Sequence, residues 1–240
     1  MKLMSAQLEN HVSGGYFLTQ AVPTPDYCTR ELLPPEIMTC SGCFAPFAPD
    51  VWAIQWTKCS QEEREQQAAK FGISLADLPQ AIAWVTSRLD ATIGWPHVFL
   101  SLAAAREFYQ QFVNEKARSV LLGIGLPNQS VERFLADGKP AAGDATPGVY
   151  HAVNGRHTLE PDGQVVGYEI LGYEYGTFHS WLCNQLEKTV HQDLQIRPNP
   201  HGFIGSLSEA ERTAEYCSRD EVKAEPALWL PWLIVKYPVE

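Results

Sequence analysis

Basic side chains are scarce in this sequence: 18 lysines and arginines stand against 28 aspartates and glutamates, a formal net charge of −10. Nucleic-acid binding draws much of its affinity from cations that neutralise phosphates. The composition therefore argues against a nucleic-acid partner and leaves a basic protein or a small polar ligand. Long apolar runs are missing too. None approaches the roughly 20 residues that a membrane helix needs, so no membrane association is expected. The first thirteen residues carry Lys2, Gln7, Glu9, Asn10 and His11, which is not the continuous apolar stretch of a secretory signal. A cytoplasmic location is the expectation. In that reducing compartment the six cysteines are thiols, core fillers or metal ligands and not disulfides. Internal repeats and low-complexity tracts are absent as well.

What is present is a chain of 240 residues, 45% of them hydrophobic, enough to build a core without a metal or a disulfide. Tyr16 to Val22 mixes aromatic and β-branched residues and reads as an early strand, followed by a proline-rich stretch of loops around Cys28, Cys40 and Cys43. Val51 to Thr57 alternates as a strand with one buried face. Ser60 and Glu63 form a capping box that opens a helix ending at Gly72. A second helix is expected from about Pro79 to Asp90, and a third, capped by Ser101, to about Lys116. Val120 to Leu126 is a continuous apolar run that suits an interior strand.

Beyond the glycine- and proline-rich segment 138–147 the pattern turns to β. Val149–Val153, Arg156–Leu159 and Val165–Tyr173, separated by Asn154-Gly155 and Asp162-Gly163, predict a three-stranded meander. Thr177 is a cap for a helix carrying Phe178, Trp181, Leu182, Leu186, Val190 and Leu194. Ser208 and Glu211 open another that runs to about Cys217. Leu228 to Tyr237 is a strand that Pro231 makes an edge or a bulge. The fold class is α+β: layered helices on a largely antiparallel sheet with a hairpin-rich second half. Residues 1–240 form one domain, or two closely packed halves, 1–137 and 148–240, joined by the loop 138–147.

The reactive residue types are scattered. Cys28, Cys40, Cys43 and Cys59 include one pair with the two-residue gap of a zinc site, but the second close pair is missing. Cys40 and Cys43 as a redox dithiol lack the helix start that would lower a thiol's pKa, because Pro46 and Pro49 follow. His179 and Cys183 fall on one face of the expected helix, a poor template for a nucleophile and its base. The stiff loop Arg197-Pro198-Asn199-Pro200-His201 can hold donors at fixed positions. Glu169 and Glu174, five residues apart on a strand, fall on opposite faces. Gly123-Ile124-Gly125 lacks the third glycine and the lysine of a phosphate loop.

The reading that follows is a soluble acidic binding protein without a cofactor, of the immunity-type inhibitor kind, that engages a basic protein partner. Its binding residues would come from Arg197, Asn199, His201, His179 and Glu169. One alternative is an enzyme with a pocket between the halves that uses His179, His201 or Glu169 as acid or base. The other is a structural protein stabilised by zinc on Cys28, Cys40, Cys43 and Cys59.

Overall fold

In the strand Ser119–Pro127 every side chain after the first is buried, although a strand sends consecutive side chains to opposite faces. Both faces of this strand must therefore be covered. The computed structural model describes residues 7–48, 60–96, 98–114 and 118–239, and it shows how. Val120, Leu122, Ile124 and Leu126 enter one apolar cluster with Phe17, Trp232 and Ile234. Leu121 enters a second with Tyr16, Leu18, Leu233 and Val235.

The fold is α+β. Ten strands are numbered in chain order: β1 His11–Gln20, β2 Val22–Pro23, β3 Glu36–Ile37, β4 Phe47–Ala48, β5 Ile93–Gly94, β6 Val98–Phe99, β7 Ser119–Pro127, β8 Gln164–Glu174, β9 Thr177–Ser180 and β10 Leu228–Tyr237. The main sheet runs β5-β6-β1-β7-β10-β8-β9, with β4 also paired to β1, and β2 and β3 form a small separate pair. Every pairing between these strands is antiparallel. The sheet thus takes strands from both sides of segment 138–147.

Helices α1 Gln61–Lys70, α2 Leu78–Thr86, α3 Leu102–Phe112, α4 Val131–Asp137, α5 Gly148–Asn154, α6 Leu186–Leu194 and α7 Leu207–Cys217 cover the two faces. Residues of α1, α2, α3, α6 and α7 fill the cluster around Leu121. The other face receives Val131 and Phe134 of α4 with Val149 and Val153 of α5. Local signals worked where a side chain closes its own hydrogen bond. Ser60 and Glu63 form the capping box of α1, Gly72 takes a positive φ of 63° behind it, and Ser101 caps α3 through Ala104. Among the described residues no helix is long and apolar enough to cross a membrane.

Four expectations are corrected. Val149–Val153 is helix α5 and not a strand, and Asn154-Gly155 ends that helix instead of turning a hairpin. Val149 and Val153 lie one helical turn apart, so both reach the sheet from a helix; burial outweighs their β preference. Arg156–Leu159 is no strand either. The hairpin of this half is β8 to β9, turned by Tyr175 and Gly176 with φ of 46° and 87°, the positive values that a two-residue turn requires. The segment expected as one helix from Phe178 to Leu194 is β9, a 3-10 turn at Trp181–Asn184, and α6, separated by Gln185 in the left-handed region. The cap of α7 is Ser206 with Glu209, two residues before Ser208. β10 lies between β7 and β8, and at Pro231 only β8 is paired, because pairing with β7 begins at Leu233. A missing amide is tolerated on that open side. The expected strand Val51–Thr57 lies outside the described residues.

Gly123 and Gly125 serve packing. A Cβ on Gly123 would stand 2.8 Å from the Tyr237 ring and 3.0 Å from Leu159. Gly123→Ala is expected to destabilise the fold by about 1 to 3 kcal/mol through overpacking. A urea titration against the parent chain measures it, and an unchanged midpoint would contradict this account of the glycine.

Candidate active site

A buried carboxylate organises the loop that carries Cys43. Glu169 points inward from β8 and is 2% exposed. It accepts the Thr39 hydroxyl at 2.5 Å and the Cys40 amide at 3.0 Å. Thr39 Oγ1 in turn accepts the Ser41 amide at 2.9 Å. Ser41 donates its hydroxyl to the Phe178 carbonyl of β9 at 3.1 Å and accepts the Cys43 amide at 3.3 Å. Residues 39–43 are thereby fastened to β8 and β9. Burial raises Glu169 to about 7 against the opposing pull of Thr39, Cys40 and Ser180, because desolvation disfavours the charged form.

The chain reversal at Tyr175-Gly176 pairs Gly172 with His179 and Glu174 with Thr177. Glu174 and His179 are then diagonal neighbours on one face, within reach of each other. His179 Nε2 stands 3.2 Å from Glu174 Oε2. Its other nitrogen, Nδ1, faces Cys43 Sγ at 3.7 Å and Glu225 Oε2 at 3.5 Å. Glu225 is held by Asn184, whose Nδ2 donates to the same carboxylate oxygen at 2.7 Å. Cys183, in the 3-10 turn after β9, lies 3.7 Å from Ser41 Oγ. Tyr27 stacks on Phe44 beside the thiol, with ring centroids 6.4 Å apart.

The surroundings push the two exchangeable protons in opposite directions. Cys43 is exposed, and its thiol is lowered to about 5: the Cys183 thiol donates to the thiolate, and Ser41 and His179 add to this against partial burial. Cys183 is correspondingly raised, first by its bond to the Cys43 thiolate and then by burial. Burial works against the charged form of His179, but the bonds and charges of Cys43, Glu225 and Glu174 prevail and raise it. Both shifts favour the charged forms, a thiolate at Cys43 and a protonated ring at His179, the direction in which a thiol gains nucleophilic character.

The residues singled out from sequence fall in separate places. Glu169 and His179 meet at residues 39–43. Asn199 instead joins its loop to β8: its Nδ2 donates to the Val166 carbonyl at 2.8 Å, and its Oδ1 accepts the amides of His201 and Phe203 at 2.9 and 3.2 Å. Arg197 and His201 have exposed side chains. Glu169 turns into the core while Glu174 faces His179, the opposite faces expected of positions five apart. Cys28 and Cys40 are buried. Burial raises Cys40 well above the usual thiol range, so Cys40 and Cys43 occupy different environments despite their spacing. Cys59 lies outside the described residues, and among those described no three or more histidine, cysteine or acidic side chains gather as a metal site.

Sequence reasoning missed the partnership of Cys43, His179 and Glu174. It placed His179 on a helix with Cys183, and the Tyr175-Gly176 turn was the available signal that β8 folds back there. Comparison with family models, curated proteins and solved structures found no match for this chain.

Proposed function

We propose that this protein is a cysteine-dependent enzyme that transfers or hydrolyses acyl groups, with Cys43 as nucleophile, His179 as acid and base, and Glu174 as the group that orients the imidazole. One observation carries the reading: Cys43 Sγ lies 3.7 Å from one nitrogen of His179 while the other nitrogen lies 3.2 Å from the Glu174 carboxylate. A nucleophile, a base and a third group that aligns the base are the parts that such chemistry needs. The reading keeps the enzyme alternative drawn from sequence but changes its parts: His179 is the acid and base, Glu169 positions the loop, and His201 has no role. The expectation of an acidic binder rests on the net charge, the abundant aromatic residues and the lack in the sequence of a nucleophile with a credible base.

In the reaction the Cys43 thiolate forms a carbon–sulfur bond with the carbonyl carbon of an ester, thioester or amide, and the carbonyl electron pair moves to oxygen. When that pair returns, the bond to the leaving group breaks, and the leaving group takes the Nδ1 proton of His179. A water then gives a proton to Nδ1 as its oxygen attacks the thioester, and the acid departs with the thiolate restored. Substrate and water become one acid and one protonated leaving group.

Two measurements test this. The rate of Cys43 alkylation by iodoacetamide is expected to follow a midpoint near pH 5, and Cys183→Ala, which removes the largest stabiliser of the thiolate, is expected to move the midpoint upward. With p-nitrophenyl acetate, one p-nitrophenolate per chain should appear as a burst, with the acetyl group on Cys43. An ordinary thiol midpoint, or a burst that survives Cys43→Ser, would overturn the reading.

A further inference from the structure

A cavity of about 1050 Å³ is lined in part by Glu174, and neither Cys43 nor His179 belongs to its lining. It lies between the turn after α2, segment 137–147, the Tyr175-Gly176 turn, and the residues that lead into β10. Glu174 belongs to its wall and also holds His179, while Pro226, next in the chain to Glu225, lines it as well. Candidate active site and cavity thus share one wall. The volume is at the upper end for small-molecule sites.

The lining is apolar and aromatic, with Leu89, Trp95, Tyr175 and Leu228 among its residues, and it carries Asp90, Asp137, Asp144 and Glu174 against Lys139. Glu174 is occupied by His179, and Asp137 faces Arg133 at 3.5 Å. Asp90 and Asp144 have no cation partner among the described residues. Tyr175 is 85% exposed, so its ring face is open to a ligand cation, which aromatic faces attract. Tyr173 also lines the cavity, and its buried hydroxyl has no hydrogen-bond partner among the described residues, an unspent capacity that is costly in an apolar setting.

We infer that this cavity is the recognition pocket of the site and that it takes an apolar group bearing a cationic amine, with Asp90 and Asp144 as its counter-charges and Trp95 and Tyr175 against its body. The inference rests on the acyl-transfer reading for the chemistry at Cys43 but not for the binding itself. A substrate of this kind is an acyl compound with an amine-bearing chain long enough to pass His179.

The test compares two p-nitrophenyl esters of equal chain length, ε-aminocaproate and enanthate, in acylation of Cys43. The ammonium ester is expected to react at least tenfold faster. Asp90→Asn with Asp144→Asn should bring the ratio near one, and Lys139→Gln should raise it. No preference in the parent chain, or a preference untouched by either variant, would overturn the inference. Failure of the acyl-transfer reading shows separately, as the absence of any acylation by p-nitrophenyl acetate. In that event equilibrium dialysis of phenethylammonium decides: binding by the parent chain that is lost in the double variant supports the pocket, and no binding by the parent chain refutes it.

Discussion

His179→Ala is expected to slow acylation of Cys43 at neutral pH by about 10² to 10⁴-fold, the usual worth of a positioned acid or base. Two losses combine in that figure. The imidazolium that helps hold the thiolate disappears, and the leaving group loses its proton donor. The two separate by leaving group: p-nitrophenolate departs without help, whereas an amine does not, so the loss should be larger for amide than for activated ester substrates. Glu174→Gln keeps the hydrogen bond to Nε2 but removes the charge, so it should cost less than His179→Ala. Stopped-flow release of p-nitrophenolate from the ester and of p-nitroaniline from the matching anilide, with mass spectrometry of the acylated chain, measures all three proteins. Equal rates with the anilide in the parent chain and His179→Ala would remove histidine from the mechanism.

Glu169 is expected to make stability fall as pH rises between about 4.5 and 7. Its carboxyl is held near 7 in the folded chain against an ordinary value of 4.5, so the folded state binds the proton more tightly than the unfolded one. Its stabilising contribution is complete below the unfolded value and is lost as pH climbs through the folded one. A shift of this size corresponds to roughly 3 kcal/mol at one pKa unit per 1.36 kcal/mol. Glu169→Gln still offers an oxygen to Cys40 and an amide to Thr39, so it should fold and lose this part of the pH dependence. Urea titrations of both proteins at pH 4.5, 6 and 7.5 give the difference; parallel curves would show that Glu169 does not titrate across this range.

The fold was legible where short-range chemistry decides it. The capping box at Ser60, the stop at Gly72, and the apolar run 120–126 depend on side chains a few residues apart, and each reads directly from the chain. The second half was harder, because α5 and the region 177–194 satisfy two periods at once. Val149 and Val153 suit a strand by propensity and a helix by spacing, and only the presence of a sheet face beneath them decides. Phe178, Trp181 and Leu182 fit a helical stripe, yet a two-residue turn before them commits Phe178 to β9. The same ambiguity hid the site. His179 was recognisable as titratable and Cys43 as one of a spaced pair, but their approach across 136 positions depends on Glu169 fixing a loop to β8, and no local pattern encodes that.

Residues 39–43, 174–183 and 225 come from three distant stretches of the chain, and the last of them arrives just before the closing strand. A ribosome must therefore release the chain through Glu225 before the sulfur has all of these neighbours. Until then Cys43 behaves as any peptide thiol, so a half-made chain carries no reactive anion. The onset of alkylation at mildly acidic pH thus doubles as a clock for the completion of folding.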